Sequence, residues 1–381
     1  MRVSWPDNIL AHFVVVVGLI SAVTPSPFVI CDRRSTLSTP QPIEAQCNST
    51  SQGNVLTPRR EFGLSIDTFA ALGDSYASGL GAGQVLDRTC RRYHHSYPYL
   101  INTDPRLGNG NGRRFEPLTC AGATIRDVVE RQIPQLTTKF DVITITAGGN
   151  DVGFGKIVDT CIFGIGTNSC ERTMAAGRAY INDVLPLSLD RLLRHLGTKI
   201  TPDTGRIYIT GYAKFFNPNT PQCNFVSVSL LGRKPLDHYH RQKYNDLIDL
   251  VNAEIKDAAE RVGPRVTYVN YDPYFGHCNG RLCEVGINEP NVNRPRLLFF
   301  ERGSRDVSIP NQDSGVVVLV KRRFEKITSL FRLPDSDLRV FHPRSTGQRI
   351  IADAIIAHME QDKAKTMGFE STLLNHVYCP L

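Results

Sequence analysis

The chain has 381 residues, of which 41% are hydrophobic and 21% charged, the composition of an ordinary soluble globular protein. That length allows two domains or one enlarged α/β domain. The net charge of +7 is modest, and the short clusters Arg91-Arg92, Arg113-Arg114 and Lys321-Arg322-Arg323 read as solvated surface, so no nucleic-acid partner is expected.

In chain order, Arg2 precedes the apolar run Phe13-Val-Val-Val-Val-Gly-Leu-Ile-Ser-Ala22. The run is short for a bilayer span and suits a secretory signal peptide over residues 1–22. An uncleaved N-terminal anchor is the competing reading. No second apolar run follows, so a soluble mature chain without a stable membrane span is expected. Ten cysteines (31, 47, 90, 120, 161, 170, 223, 278, 283 and 379) then read as disulfides of an exported protein. Residues 23–62 are rich in Pro, Ser, Thr and Gln and read as a flexible leader, with a glycosylation sequon at Asn48-Ser49-Thr50.

The folded domain is expected over residues 63–365, with a tail over 366–381. Thr68 to Leu72 is a short apolar strand ending at Gly73. Ile125, Val128, Val129, Ile133 and Leu136 recur at helical spacing, with Thr124 as a candidate cap and Pro134 distorting the end. Asp141–Ala147, Arg206–Gly211 and Arg265–Asn270 read as buried strands. Between the last two, Leu236, Tyr244, Leu247, Ile248, Val251, Ile255, Ala258 and Val262 mark one face of a long helix; Ile350, Ile351, Ala354 and Ile355 mark a final one. The alternation predicts a parallel sheet covered on both faces, with the site at the carboxyl ends of its strands. Residues 284–335 fit this pattern poorly. There the stretches Arg294–Phe300 and Val316–Val320 read either as an edge hairpin or as a cover over the site.

Four short blocks carry chemistry. Gly73-Asp74-Ser75 follows a strand, where a sharp turn exposes a serine at the sheet edge. Thr119-Cys-Ala-Gly122-Ala-Thr124 precedes a helix, and a glycine there lets its amide approach an anion. Gly148-Gly149-Asn150-Asp151 follows a strand and offers a side-chain amide that donates without changing protonation state. Val340-Phe341-His342-Pro343 supplies the residue type that activates a serine hydroxyl. His94-His95 and His238-Tyr-His240 lack a third ligand, read as surface or packing residues, and leave no metal site expected.

In this order the blocks resemble those of the SGNH hydrolases, the GDSL lipase/esterase family, across residues 67 to 360. The resemblance implies a flavodoxin-like three-layer α/β/α sandwich and a serine ester hydrolase without cofactor. It implies Ser75 as nucleophile, His342 as base, and an oxyanion hole from the Ser75 and Gly122 amides with the Asn150 side chain. Many members carry Asp three residues before the histidine; here Arg339 stands there. A Ser75–His342 dyad, its imidazole oriented by the Arg339 backbone carbonyl, is therefore expected, with a displaced Asp337 as the alternative orienter. Likeness to the secreted, disulfide-rich members implies Cys90–Cys120, Cys161–Cys170 and Cys223–Cys283. Cys31–Cys47 is the least strained further pair, with Cys278 and Cys379 unassigned. The only tryptophan is Trp5, inside the expected signal peptide, which disfavours a polysaccharide-stacking platform. A monomer acting on a lipid or short-to-medium acyl ester is expected. The alternatives are a carbohydrate O-acetylesterase and a catalytically weak scaffold serving as a binding protein.

Overall fold

The computed structural model describes residues 63–108, 110–165, 169–228, 235–306, 338–369 and Cys379. The expected signal peptide and leader, Asn48, Cys31, Cys47, Asp337 and the run Val316–Val320 lie outside those residues.

Five parallel strands form the centre: β1 (Thr68–Gly73), β2 (Arg114–Pro117), β3 (Val142–Thr146), β4 (Arg206–Thr210) and β5 (Val266–Val269). Their order is β2-β1-β3-β4-β5, as the flavodoxin-like reading expects. Every residue of β3 is buried, so both faces of the sheet are covered. The edge strand β2 went unread from sequence, because Arg-Phe-Glu-Pro carries neither an apolar run nor a clear alternation.

The helices are α1 (Ser75–Ser78), α2 (Tyr97–Asn102), α3 (Cys170–Asp183), α4 (Leu185–Gly197), α5 (His238–Val262) and α6 (Ser345–Thr366), with shorter turns between them. Helix α4 packs on α3 and α5, while α6 packs on α2 and β5, completing an α/β/α sandwich. Leu185, Leu189, Leu192, Leu193 and Leu196 bury one face of α4, a 3.6-residue pattern that sequence reading passed over. Burial of such a leucine contributes about 1.5–3 kcal/mol. The helix expected from Ile125 starts on a Thr124–Asp127 capping box, then widens into a π-turn at Val128–Gln132 and tightens to a 3-10 turn at Ile133–Gln135. Pro134 has no amide to continue an α-helical ladder.

The sheet order reverses direction between β1 and β3, the place where open α/β sheets form a crevice. Asp74-Ser75 follows β1 and Gly148-Gly149-Asn150 follows β3, so two of the four blocks meet there. The stretch Leu298–Phe300 joins neither edge of the sheet. It runs antiparallel to the His342 segment, through Phe341 N–H to the Phe300 carbonyl, Phe300 N–H to the His342 carbonyl and Arg344 N–H to the Leu298 carbonyl, each 2.8 Å.

Candidate active site

The turn after β1 is built from Gly73. Its φ of +118° suits glycine, and a Cβ there would lie 2.2 Å from the Thr146 carbonyl oxygen. Buried Gln132 clamps it from both ends, accepting the Gly73 amide at 2.8 Å and donating to the Gly73 carbonyl at 3.0 Å. Asp74 then caps α1, its Oδ1 accepting from the Tyr76 amide at 2.9 Å. Ser75 becomes the first helical residue, its Oγ turned towards the crevice.

His342 arrives from the other end of the chain. Its Nε2 lies 2.7 Å from Ser75 Oγ. Its Nδ1 faces the Val340 carbonyl at 3.3 Å, whereas the Arg339 carbonyl accepts the His342 backbone amide at 2.8 Å. Both carbonyls favour the imidazolium, so the Arg339 carbonyl expected from sequence acts on the ring together with that of Val340. Arg339 turns its guanidinium away, stacking over Phe300 at 4.5 Å and donating to the Ser304 carbonyl at 2.5 Å. Among the described residues no carboxylate hydrogen-bonds the imidazole. Burial pushes the ring down to about 4 against the pull of the two carbonyls, leaving it neutral and able to accept the Ser75 proton.

The approach of His342 depends on Phe341, whose φ of 62° puts a bulky residue in the left-handed region. Such a conformation persists only where its surroundings over-determine it. Here Phe341 stacks on Phe215 at 4.7 Å, its amide bonds Phe300, and its carbonyl accepts from the Tyr76 phenol at 2.8 Å.

The three groups expected to hold an oxyanion stand on three separate segments, after β1, before the Thr124 cap and after β3. The Ser75 and Gly122 amides donate to no acceptor among the described residues. Gly122 has φ +85°, with open space where a Cβ would stand, so backbone conformation rather than room favours glycine. Asn150 gives one side-chain N–H to the Ala123 carbonyl at 2.9 Å, which ties it to the Gly122 loop and leaves its second N–H available. Asp151 reinforces that tie by accepting the Ile125 amide at 3.0 Å. Burial raises its carboxyl to about 6, with the Ile125 amide opposing.

One residue that sequence reading missed joins the first and third blocks. The Tyr212 hydroxyl accepts the Gly149 amide at 2.8 Å and donates to Asp74 Oδ2 at 2.7 Å. Burial raises Asp74 to about 7, with the Tyr212 and Tyr76 hydrogen bonds pulling the other way. A lone tyrosine two residues past a strand carries no motif.

Disulfides brace this arrangement. Cys90–Cys120, Cys161–Cys170 and Cys223–Cys283 pair as the resemblance implied, and Cys278 pairs with Cys379. Of the two histidine pairs, His94 packs its ring near that of His95, and Ser345 Oγ partners His95, the Pro218 carbonyl His238 and Asp237 His240. No cluster of three metal-ligating side chains occurs among the described residues. No helix among them is long and apolar enough to cross a membrane.

Residues 71–285, more than half of the chain, match the GDSL-like Lipase/Acylhydrolase family. A lipase of Streptomyces rimosus is 34% identical over 150 residues, 39% of this chain and 53% of the relative. Lipase 1 of Streptomyces coelicolor is 31% identical over 156 residues, 40% of this chain and 55% of the relative. The chain thus spans about half the length of the curated relatives it matches. Among solved structures, the extracellular lipase of Streptomyces rimosus is similar with a TM-score of 0.53 at 24% identity, covering 76% of this chain and 98% of that one. Phospholipase A1 of Streptomyces albidoflavus NA297 gives 0.52 at 22% identity, covering 77% and 99%. These two likenesses are of fold. The family match stops short of His342, which the fold itself carries to Ser75. With its matched span, its sheet order and its four assembled blocks, the chain belongs to the GDSL-like lipase/acylhydrolase family.

Proposed function

We propose that this chain is a secreted serine ester hydrolase of lipase or esterase type. The observation that carries the reading is the 2.7 Å approach of His342 Nε2 to Ser75 Oγ beside three unengaged donors. Ser75 Oγ attacks the acyl carbonyl while neutral His342 takes its proton. The oxyanion is held by the Ser75 and Gly122 amides and the free Asn150 N–H. The Val340 and Arg339 carbonyls offset the charge on the imidazolium, in the role a carboxylate has in a triad. His342 returns the proton to the leaving alcohol, and water then releases the acyl group by the same steps reversed.

A lipid or short-to-medium acyl ester is the substrate class, supported by relatives that carry the name lipase. Export is supported by the four disulfides, the N-terminal apolar run and the extracellular lipase among the structural relatives. The mature chain acts as a monomer.

The test is hydrolysis of an acyl-chain-length series by the mature protein and by Ser75→Ala. Hydrolysis by wild type and its loss in the variant is expected. Release of acetate from acetylated xylan without hydrolysis of longer esters would reassign the chain to carbohydrate deacetylation. Equal inactivity of both proteins on every ester would leave a binding scaffold.

A further inference from the structure

The Arg91-Arg92 cluster does not stand on open surface. Val85–Asp87 and Arg92–Tyr93 pair as a short antiparallel hairpin, whose tip carries Arg88, Arg91 and Arg92 around Cys90. Two links pin that tip to the candidate oxyanion loop: the Cys90–Cys120 disulfide, and the Ala121 amide donating to the Cys90 carbonyl at 2.9 Å. A cavity of about 410 Å³ lies here, lined by the disulfide, Leu118 and Gly122 and by the charged groups Arg92, Asp127 and Arg131. Gly122 is common to this cavity and to the candidate oxyanion hole. The cavity therefore adjoins the loop that carries the Gly122 amide.

The two guanidiniums differ in what they have left to give. Arg92 already pairs with Asp87 and donates to the Thr119 carbonyl at 3.3 Å. Arg131 is 78% exposed, and its ion pair with Asp127 is 3.4 Å long. Most of its five N–H donors stay available to an incoming group. A guanidinium with a free edge suits two oxygens of one tetrahedral anion, while Leu118 and the disulfide offer apolar contact to adjoining carbons.

Building on the ester-hydrolase reading, we propose that this cavity receives an anionic group, a phosphate, carried by the ester substrate. Arg131 is its principal partner and Arg92 its second. The site thereby selects esters that carry such a charge close to the reacting carbonyl.

The test compares kcat/KM for a matched pair of esters, one neutral and one bearing a phosphate, in wild type, Arg131→Gln, Arg131→Lys and the distant surface variant Arg172→Gln. Wild type is expected to favour the phosphate ester, and Arg131→Gln to cut that preference about ten-fold, the scale of one charge-assisted hydrogen bond. Arg131→Lys should restore part of it, and Arg172→Gln should leave the ratio unchanged. A ratio that Arg131→Gln does not move, or that Arg172→Gln lowers equally, overturns the proposal while hydrolysis of the neutral ester stands. Inorganic phosphate separates the two sources of the anion. Equal inhibition of both esters, relieved by Arg131→Gln and without any ester preference, would make this a free-phosphate site and overturn the substrate role. Failure of wild type on the neutral ester would instead strike the hydrolase reading itself.

Discussion

The phenol of Tyr76, next in sequence to Ser75, donates a 2.8 Å hydrogen bond to the carbonyl of Phe341, next in sequence to His342. Ser75 and His342 are thus coupled through their neighbours as well as through their own side chains. Tyr76 also packs its ring against the imidazole, with centroids 5.2 Å apart. Helix α6 joins in, because Gln348 donates to the Tyr76 carbonyl at 3.0 Å and accepts the Tyr97 amide at 2.8 Å.

Tyr76→Phe keeps the ring and removes the bond, leaving a buried carbonyl on a strained residue. Stability should fall by about 1–3 kcal/mol, the cost of a buried polar group left unmatched. On the proposed mechanism kcat should fall while KM holds, because His342 loses its placement and not the substrate its contacts. Urea denaturation and steady-state kinetics measure the two effects separately.

Tyr212→Phe cuts two bonds at once, freeing the Gly149 amide and Asp74 Oδ2. Asp74 would lose the hydroxyl that most strongly opposes the effect of burial, so its carboxyl should titrate higher than in wild type. Carbon-13 NMR of the aspartates reads this directly, and kcat should drop as the loop bearing Asn150 loosens. An unchanged Asp74 titration would show that the hydroxyl does not govern the carboxyl.

The pH dependence follows from the same groups. On the proposed mechanism neutral His342 is the proton acceptor, so kcat/KM should be retained above its value of about 4 and be lost as pH falls through it. Stability carries the same sign. The unfolded ring takes up its proton near 6.5, so this contribution is complete above 6.5 and is lost as pH falls from there to about 4. Asp74 acts oppositely. Its folded value of about 7 lies above the ordinary 3.8, so its contribution is complete below 3.8 and is lost as pH rises through 7. Asp74→Asn should flatten the second slope and spare the first, in denaturation measured across that range.

The proposed oxyanion donors make separable predictions. Asn150→Ala should lower kcat about 100-fold with little change in KM, the usual effect of deleting one such donor. Gly122→Ala adds a methyl to open space, so packing does not suffer. It strains a left-handed backbone by about 1–2 kcal/mol and displaces the amide. Its kcat should fall without any sign of a steric clash in a crystal structure of the variant.

Much of this was legible in sequence because each chemical block sits beside a readable element. Ser75 and Asn150 follow apolar strands, and His342 precedes a helix, so their meeting at the strand ends follows from an alternating α/β pattern. The links among the blocks were not legible. Tyr76 and Phe341 lie 265 residues apart, and neither residue type announces a long-range hydrogen bond. Tyr212 was hidden for the same reason. The Val340 carbonyl facing His342 Nδ1 was not foreseen beside that of Arg339, because a backbone acceptor leaves no side-chain signature and Phe341 takes an uncommon φ. The segment around Leu298–Phe300 resisted reading because it pairs with a loop, where neither a strand nor a helix period applies.

Labelling with a fluorophosphonate, followed by peptide mass spectrometry, tests the central claim most directly. A single adduct is expected on the peptide containing Ser75, formed slowly in His342→Ala and absent in Ser75→Ala. A folded wild-type protein that forms no adduct, or forms it at another serine, would contradict it.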